Sequence, residues 1–292
     1  MPMGSGEIWT WSEGAWHQGD VMVAGAAHHG LWQGTTVFDG ARAFEGAAPD
    51  LDLHCARVNA SARAMGLDPT LSDGEILELA REGLTKFQGD GPVYIRPMYW
   101  SKDCDPSLIL ADRTSTVFCL CLEALPMTEP AALPEGGLRI TTTEFRRPIL
   151  STNVLNAKAG CLYPNNARML AEVKARGFGN ALVADAMGNV AESATANVFM
   201  VKDGVAFTPI ANGTFLSGIT RARHISNMRA DGMEVHEAVL SFADFEAADE
   251  VFLSGNMNKV TPVTAFEDVS YQVGPVTRRV RELYWDWAGT TG

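Results

Sequence analysis

The feature that most constrains this chain is a run of small residues around one lysine. The segment 156–163 reads Asn-Ala-Lys-Ala-Gly-Cys-Leu-Tyr, and Lys158 is the single lysine between Lys102 and Lys174. Alanine and glycine let a second backbone or a flat ligand approach closely, and the segment then offers it the Lys158 amine and the Tyr163 phenol. Because a single lysine is usually a surface residue, the rest of the chain must supply its context.

Two later segments offer a carboxylate and an anion cradle. Glu192 stands between Ala191 and Ser193, where few neighbours could solvate its charge, and the alternative is an ordinary turn carboxylate. The next segment is typical of a helix N-terminus, whose unpaired amide groups bind phosphate, and the alternative is an ordinary capped helix. It consists of Ser217, Gly218, Ile219 and Thr220.

These segments, in this order, resemble the fold type IV pyridoxal-phosphate (PLP) enzymes, and most closely their branched-chain amino acid aminotransferases. The resemblance covers most of the chain, since it extends to the segments 36–42, 94–97, 254–256 and 261–263. It implies an α/β chain of mixed α+β type with the two-domain, D-amino acid aminotransferase-like architecture. It also implies PLP as the cofactor, and the sequence offers no metal-ligand spacing.

The resemblance assigns a cofactor role to each of these residues. Lys158 matches the lysine that forms the Schiff base with PLP and then moves a proton, and Glu192 matches the glutamate beside the pyridine nitrogen. Tyr163 resembles the tyrosine that hydrogen-bonds the phenolic oxygen of the cofactor, with a core tyrosine as the alternative. The predicted phosphate site contains Arg57, which could instead be a solvated helical arginine, the segment Ser217, Gly218, Ile219 and Thr220, and Asn256.

The predicted substrate residues come from the first half of the chain. They match positions that line or brace the pocket of branched-chain aminotransferases, and they are Gln33, Phe38, Gly40, Arg42, Tyr94 and Arg96. Phe38 and Tyr94 could instead be core residues, because they stand at alternating strand positions. Two departures from the branched-chain pattern are Gln33, which replaces a tyrosine, and the loop 102–107, which lacks a glycine-valine-asparagine turn.

The resemblance therefore implies ping-pong transamination between a branched-chain or other hydrophobic L-amino acid and a 2-oxo acid such as 2-oxoglutarate. The alternatives are an R-selective amine or D-amino acid transaminase, 4-amino-4-deoxychorismate lyase, and a catalytically silent PLP-binding protein. Intact Lys158 and Glu192 argue against the silent protein. The family also implies a homodimer in which Gln33 and the loop 103–105 reach the partner.

Composition excludes other classes of function. A net charge of −12 argues against nucleic acid as a partner, because phosphate neutralisation requires basic surface. No apolar run approaches the roughly 18 residues of a membrane span, and the first residues do not resemble a signal peptide, so a cytoplasmic enzyme with no membrane partner is expected. Three prolines and paired glycines predict a linker at 126–137 between a smaller domain, 1–125, and a larger domain, 138–292, that carries Lys158.

Hydrophobic periodicity and turn residues predict the secondary structure. A hairpin is expected at 7–17, and helices are expected at 53–65, 72–87, 165–176 and 220–230. The predicted strands are 93–99, 116–122, 138–143, 181–186, 190–201, 205–209 and 249–253, the last of which is taken as the final strand.

Overall fold

The structure is a computed structural model that describes residues 6–128 and 136–291. Its contacts divide the chain into two compact units. The first unit runs to Pro126 and also takes in Asn156–Leu162 and the last residues from Gly289, and the second comprises Met127–Leu155 and Tyr163–Ala288.

The division between the units falls inside the predicted linker, of which residues 129–135 lie outside the described part of the chain. The assignment of Lys158 differs from the prediction, because its segment belongs to the first unit rather than the second. The physical reason is that Ala159 forms a β-bridge with Val37, and the Lys158 carbonyl accepts a hydrogen bond from the Phe38 amide. Such long-range pairing leaves no mark in the local sequence.

The first unit is an antiparallel sheet with helices packed on one face. Its elements are β1 (Ile8–Ser12), β2 (Ala15–Gln18), α1 (His29–Trp32), β3 (Thr36–Phe38), β4 (Ala41–Ala43), α2 (Leu51–Ala64), α3 (Asp73–Leu84), β5 (Val93–Ser101) and β6 (Thr116–Ala124). The described strands follow the order β2-β1-β6-β5-β3, and β4 also pairs with β5. The predicted hairpin at the start of the chain is confirmed as β1 and β2.

Alternation along β5 gives the sheet of the first unit two different faces. Ile95, Pro97 and Tyr99 point to the buried side, where α2 and α3 pack, while Tyr94 and Arg96 point to the other side. The helices α2 and α3 were predicted, whereas the four-residue α1 was not. α3 begins at a capping box of the kind that a local sequence encodes. The polar face of the sheet is the one that carries the candidate site.

The second unit is a larger mixed sheet with helices. Its elements are β7 (Leu138–Arg146), α4 (Tyr163–Ala175), β8 (Asn180–Ala184), β9 (Val190–Ser193), β10 (Asn197–Lys202), β11 (Val205–Pro209), α5 (Ile219–Ala230), β12 (Val235–Ala238), α6 (Phe242–Glu246), β13 (Glu250–Gly255), β14 (Lys259–Phe266), β15 (Val269–Ser270) and α7 (Pro275–Ala288). The described strands follow the order β12-β11-β10-β13-β14-β7-β8-β9, with β15 beside β14. Apolar clusters form the core of this unit.

Two strand predictions for the second unit are wrong. The expected single strand 190–201 is two strands, β9 and β10, because the Ser193 amide and hydroxyl both donate to the Ala196 carbonyl and close a turn between them. The expected final strand is followed by β14, β15 and α7. β14 was not predicted because it contains Pro262, and proline lacks the amide donor of the ladder and is rare in interior strands.

Short elements and irregular patterns explain the other omissions in the second unit. β12 has four residues and α6 has five, which is too short for periodicity to be read. No helix in the two described ranges has the length and apolar character needed to cross a bilayer.

Candidate active site

Lys158 is held against the first unit through its own backbone. Its amide donates to the Ser61 hydroxyl at 3.0 Å, and its carbonyl accepts from the Phe38 amide at 3.1 Å. The neighbouring Ala159 is fully buried and bridges to Val37, so the small residue permits the close approach that the sequence suggested. The Lys158 ammonium nitrogen lies 4.9 Å from the centroid of the Phe38 ring. The amine therefore lies on the polar face of the sheet.

Arg57 is part of a charged network on α2, the helix whose Ser61 accepts from the Lys158 amide. Asp39 follows β3 and is fully buried, and its carboxylate accepts from Arg57 Nε at 2.6 Å and from Arg57 Nη2 at 2.8 Å. His54 Nδ1 lies 2.7 Å from the same carboxylate. His54 and Arg57 are one turn apart on α2, and Ser61 lies one further turn along the same face.

The charge of Asp39 is stabilised by this network. Burial alone would raise the pKa of the Asp39 carboxyl, but the Arg57 guanidinium and the hydrogen bonds from Arg57 and His54 hold that pKa far below its ordinary value. Sequence reasoning missed Asp39 and His54. The three-residue spacing of His54 and Arg57 on a helix was the available local signal, and nothing local pointed to Asp39.

Of the predicted substrate residues, Phe38, Arg42, Tyr94 and Arg96 share the polar face of the sheet, and Gln33, at the end of α1, is exposed. Arg42 is opposite Tyr94 on β4 and Arg96 is two residues along β5, and each guanidinium carbon lies 5.5 Å from the Tyr94 ring centroid. Gly40 makes room for this arrangement, because a Cβ at that position would lie 2.2 Å from the Tyr94 hydroxyl oxygen. Any side chain at Gly40 would displace the Tyr94 ring.

Arg42 and Arg96 differ in what they can offer a ligand. Arg42 is fully buried and donates to the Leu125 and Pro126 carbonyls, so it braces the end of β6. Burial lowers the pKa of Arg42 to about 10, which leaves it charged at neutral pH. Arg96 has a third of its side chain exposed on the same face. Arg96 is therefore the better placed of the two to meet a carboxylate.

In the second unit, Glu192 is buried on β9, where Arg147 and Asn197 contact its carboxylate. Arg147 Nη2 lies 3.0 Å from Glu192 Oε1, and Asn197 Nδ2 donates to Oε2 at 3.2 Å. Arg147 also donates to the Asn166 side chain at 2.6 Å, which fixes the guanidinium. Arg147 and Asn197 were not predicted, although Asn197 lies within the segment that drew attention to Glu192.

Asn197 connects Glu192 to the predicted anion cradle. Its Nδ2 also donates to the Leu216 carbonyl at 3.3 Å. A Cβ at residue 218 would lie 2.1 Å from Asn197 Oδ1, so Gly218 is required for this approach. Gly218 is the N-cap of α5, and no side chain caps this helix. The amide groups of the first turn, which begins at Ile219 and Thr220, thus lack the side-chain oxygen that usually serves them.

Asn256 lies at the same end of the second sheet. A Cβ on the preceding Gly255 would lie 3.1 Å from the Ala196 Cβ, next to the start of β10. Lys259 donates from Nζ to Asn256 Oδ1 at 2.6 Å and so directs the amide nitrogen the other way. That nitrogen is buried and has no hydrogen-bond partner among the described residues. It is a donor that still needs an acceptor.

The remaining predicted cofactor residues are placed as follows. Tyr163 is the first residue of α4 and is partly exposed, and Ser217 directly precedes the N-cap of α5. Within the first unit the structure brings together Lys158, Phe38 and the Arg57 helix. Within the second unit it brings together Glu192 and the start of α5.

The family model for amino-transferase class IV matches residues 36–266. The chain belongs to the class IV aminotransferases. This confirms the predicted family and its PLP-dependent transferase chemistry, and the mixed α/β fold is confirmed as well. The matched range contains the segments around Lys158, Glu192 and Gly218.

Several relatives of this class IV aminotransferase are recorded as branched-chain enzymes. A putative branched-chain-amino-acid aminotransferase from Methanocaldococcus jannaschii is 34% identical over 266 residues, which is 88% of each chain. The branched-chain-amino-acid aminotransferase of Escherichia coli K12 is 29% identical over 96% of this chain and 90% of its own.

Solved structures agree with this placement. An aminotransferase from Brucella abortus bound to the co-factor PLP superposes with a TM-score of 0.94 at 57% identity, covering 97% of this chain and 99% of its own. A branched-chain aminotransferase from Thermoproteus uzoniensis, with norvaline, gives a TM-score of 0.88 at 27% identity, covering 98% of this chain and 96% of its own.

The residues of this aminotransferase fit a phosphorylated cofactor. The N-terminus of α5 is not capped by a side chain, and such an end attracts anions through its amide groups and its dipole. The unpartnered amide nitrogen of Asn256 is a second donor at the same end of the sheet. Together they are the features expected of a phosphate cradle.

Proposed function

We propose that this aminotransferase moves an amino group from a branched-chain or other hydrophobic L-amino acid to a 2-oxo acid such as 2-oxoglutarate in a ping-pong cycle. The observation that carries the proposal is the position of the Lys158 amine over the Phe38 ring, on the sheet face that also presents Tyr94 and Arg96. The names of the relatives point the same way.

Each cofactor residue has a distinct task in this proposal. Lys158 would hold the cofactor covalently, and its amine would accept the proton that the substrate α-carbon loses. Arg57, the first turn of α5 and Asn256 would hold the phosphate, and Tyr163 would donate to the phenolic oxygen. When bound, PLP supplies the conjugated ring that accepts electron density from the substrate α-carbon.

Glu192 is proposed to lie beside the pyridine nitrogen. Its contacts support this role, because Arg147 and Asn197 fix both carboxylate oxygens and Arg147 provides the countercharge within a buried setting. A fixed carboxylate stabilises a proton on that nitrogen without needing to reorganise during the reaction.

The polar sheet face suits a hydrophobic amino acid. Phe38 and Tyr94 provide aromatic surface, and Arg96 provides a cation for a carboxylate. Exposed Gln33 adds no such apolar surface, and a methylene-sized loss of contact costs about 1–3 kcal/mol. We therefore expect activity toward leucine-like substrates that is broader than that of a dedicated branched-chain enzyme.

A homodimer is part of the proposal. Five large apolar side chains of the first unit are exposed next to Gln33 and the loop 103–105, namely Leu31, Trp32, Leu108, Ile109 and Leu110. The His29 amide donates to the Lys102 carbonyl, which ties α1 to the start of that loop. Exposed large apolar side chains of this kind are typical of an interface. Sedimentation that finds an active monomer would refute the dimer.

The decisive experiment is a half-reaction screen of the holoenzyme, in which the absorbance of the bound cofactor is monitored. The substrates are L-leucine, L-valine and L-glutamate, set against D-alanine and (R)-1-phenylethylamine. We expect conversion to the amino form of the cofactor with the L-amino acids. A faster reaction with D-alanine or the chiral amine would replace the proposal with a D-amino acid or amine transaminase, and no conversion by any donor would indicate a silent PLP-binding protein or a lyase.

A further inference from the structure

Lys259 is a buried lysine for which the proposed chemistry has no task. It is the first residue of β14, and only 1% of the residue is exposed. Its φ of 62° lies in the left-handed region that favours glycine, so the backbone at this position does not favour lysine. Burying an ammonium group costs free energy unless its partners compensate, so the contacts of this side chain indicate what the lysine does.

The Lys259 ammonium group contacts an amide oxygen and lies over an aromatic ring. Its Nζ donates to Asn256 Oδ1 at 2.6 Å and lies 5.3 Å from the centroid of the Tyr284 ring on α7. His224 on α5 is fully buried, and its Nε2 lies 3.2 Å from the Lys259 carbonyl oxygen. Burial lowers the pKa of His224 to about 4, so the imidazole is neutral at pH 7 and Lys259 carries the charge beside the Asn256 amide.

The contact with Lys259 determines which way the Asn256 amide faces. An ammonium group only donates hydrogen bonds, so the amide atom that lies 2.6 Å from Nζ must be the oxygen. The amide nitrogen then points away from Lys259, and it is the buried atom that has no hydrogen-bond partner among the described residues. An amide whose oxygen accepts from a cation is also polarised, which makes its N–H groups stronger donors.

The turn that holds Asn256 is connected to the start of α5 through β10. Ser254, two residues before Asn256, pairs with Asn197 at the start of β10. Asn197 donates to the Leu216 carbonyl and closely approaches Gly218, the N-cap of α5. The Asn256 amide and the first turn of α5 are therefore at the same end of the second sheet, where the cofactor phosphate is proposed to bind.

We propose that Lys259 is a positioning residue of the phosphate site, which holds the Asn256 amide with its nitrogen toward the phosphate. This inference rests on the proposed phosphate role of Asn256. Without the ammonium group either end of the amide can face the phosphate, and the amide oxygen would repel it. Lys259 thus acts on the cofactor through Asn256.

The test compares two ligands of the apoprotein, PLP and pyridoxal, which has the same ring and aldehyde but lacks the phosphate. Lys259→Met keeps the length of the side chain and removes its charge and its donors. We expect this variant to raise the Kd of PLP about tenfold and to leave the Kd of pyridoxal within about twofold, because one charge-assisted contact to the phosphate site is lost. A rise of both constants alike, as a general structural defect would cause, overturns the proposal, and so does an unchanged Kd for PLP.

Asn256→Ala separates this inference from the phosphate site on which it rests. This variant should raise the Kd of PLP at least as much as Lys259→Met does, and adding Lys259→Met to it should cause no further loss. An unchanged Kd in Asn256→Ala would remove Asn256 from the phosphate site and end the role of Lys259 with it. Weaker binding in Asn256→Ala but not in Lys259→Met would overturn the role of Lys259 alone, and a further loss in the double variant would also overturn it. These constants do not depend on turnover, so the donor screen tests the transamination separately.

A matched control removes a lysine charge elsewhere in the second unit. Lys202 lies at the opposite end of β10 from Asn197, is partly exposed and pairs with Asp249. Lys202→Met should leave both constants unchanged. A loss of PLP affinity equal to that of Lys259→Met would attribute the effect to net charge and overturn the proposal.

A crystal structure of the wild-type holoenzyme covers the case in which Lys259→Met does not fold. We expect Lys259 Nζ within about 3.2 Å of one atom of the Asn256 amide, and a phosphate oxygen within about 3.2 Å of the other. A holoenzyme structure that lacks either contact overturns the proposal.

Discussion

Arg57 and Arg96 lie in the same unit and each pairs with a carboxylate, but the two pairs are built differently. Arg57 meets a fully buried Asp39 through two contacts of 2.6 and 2.8 Å, and His54 supports the same carboxylate. Arg96 has one contact of 3.6 Å to Glu123 and is partly exposed. The arginine proposed for the cofactor is fixed in advance, whereas the one proposed for the substrate is loosely held and can respond to the ligand.

The largest loss of activity should come from removing the Lys158 amine, on which both the proposed cofactor site and the proposed substrate site depend. Lys158→Ala should abolish turnover while some cofactor stays bound through the phosphate contacts, because the covalent attachment and the proton carrier are lost together. Borohydride reduction and peptide mapping of the wild type should find the cofactor on Lys158. A label on Lys174 or another lysine would end the proposal for both regions.

A third pair, Arg147 with Glu192, extends the comparison to the second unit. Glu192→Gln should bind the cofactor and transaminate roughly 10²–10³-fold more slowly, because a preorganised charge is worth about 3–4 kcal/mol in the transition state. Stopped-flow absorbance of the half-reaction measures this change. A rate close to that of the wild type would show that Glu192 only compensates Arg147.

The close ion pair between Arg57 and Asp39 can be broken by Asp39→Asn. This variant should raise the Kd of the cofactor about tenfold or more, and Arg57→Ala should do the same. In the double variant the two losses should not add, since Asp39 acts by positioning Arg57. Fluorescence titration of the apoprotein with PLP supplies all four constants. Additive losses would mean that Asp39 serves the fold alone, and an unaffected Kd in Arg57→Ala would remove Arg57 from the phosphate site.

The smallest effect concerns stability at acid pH. The folded-state pKa of Asp39 lies below its ordinary value of 3.8, so the pair contributes stability that is fully present above that value and is lost as the pH falls below it. The difference in unfolding free energy between wild type and Asp39→Asn should therefore be constant from pH 5 to 7 and shrink below about pH 4. Urea unfolding at each pH measures it, and a difference that widens in acid would contradict the assignment.

The parts of the site that the sequence could predict are local. Lys158 among small residues, Glu192 after a turn and the Gly218 segment each carry their signal within a few neighbouring residues. Asp39 is 18 positions from Arg57 and Arg147 is 45 from Glu192, so these pairs exist only once the chain has folded. The same reason accounts for the assignment of the Lys158 segment to the wrong unit.

The fold shows the same division. The start of α3 was predictable because Ser72 and Glu75 form a capping box within four residues. The end of β9 was not, because the turn at Ser193 and Ala196 is made from residues that suit a strand equally well. Central β14 was hidden by Pro262, which only the surrounding sheet makes tolerable.

The lack of a side-chain cap at the N-terminus of α5 has a consequence for the stability of the protein without its cofactor. α3 and α6 carry side-chain caps, whereas α5 begins at Gly218 without one, and in the proposed site the cofactor phosphate would accept hydrogen bonds from its first turn. Cofactor binding is then coupled to the integrity of that turn, and the protein gains stability as RT ln(1 + [L]/Kd) when the vitamin-derived ligand is abundant. Cells or purifications starved of that vitamin should yield an enzyme whose α5 amide hydrogens exchange faster and which is cleared or aggregates sooner.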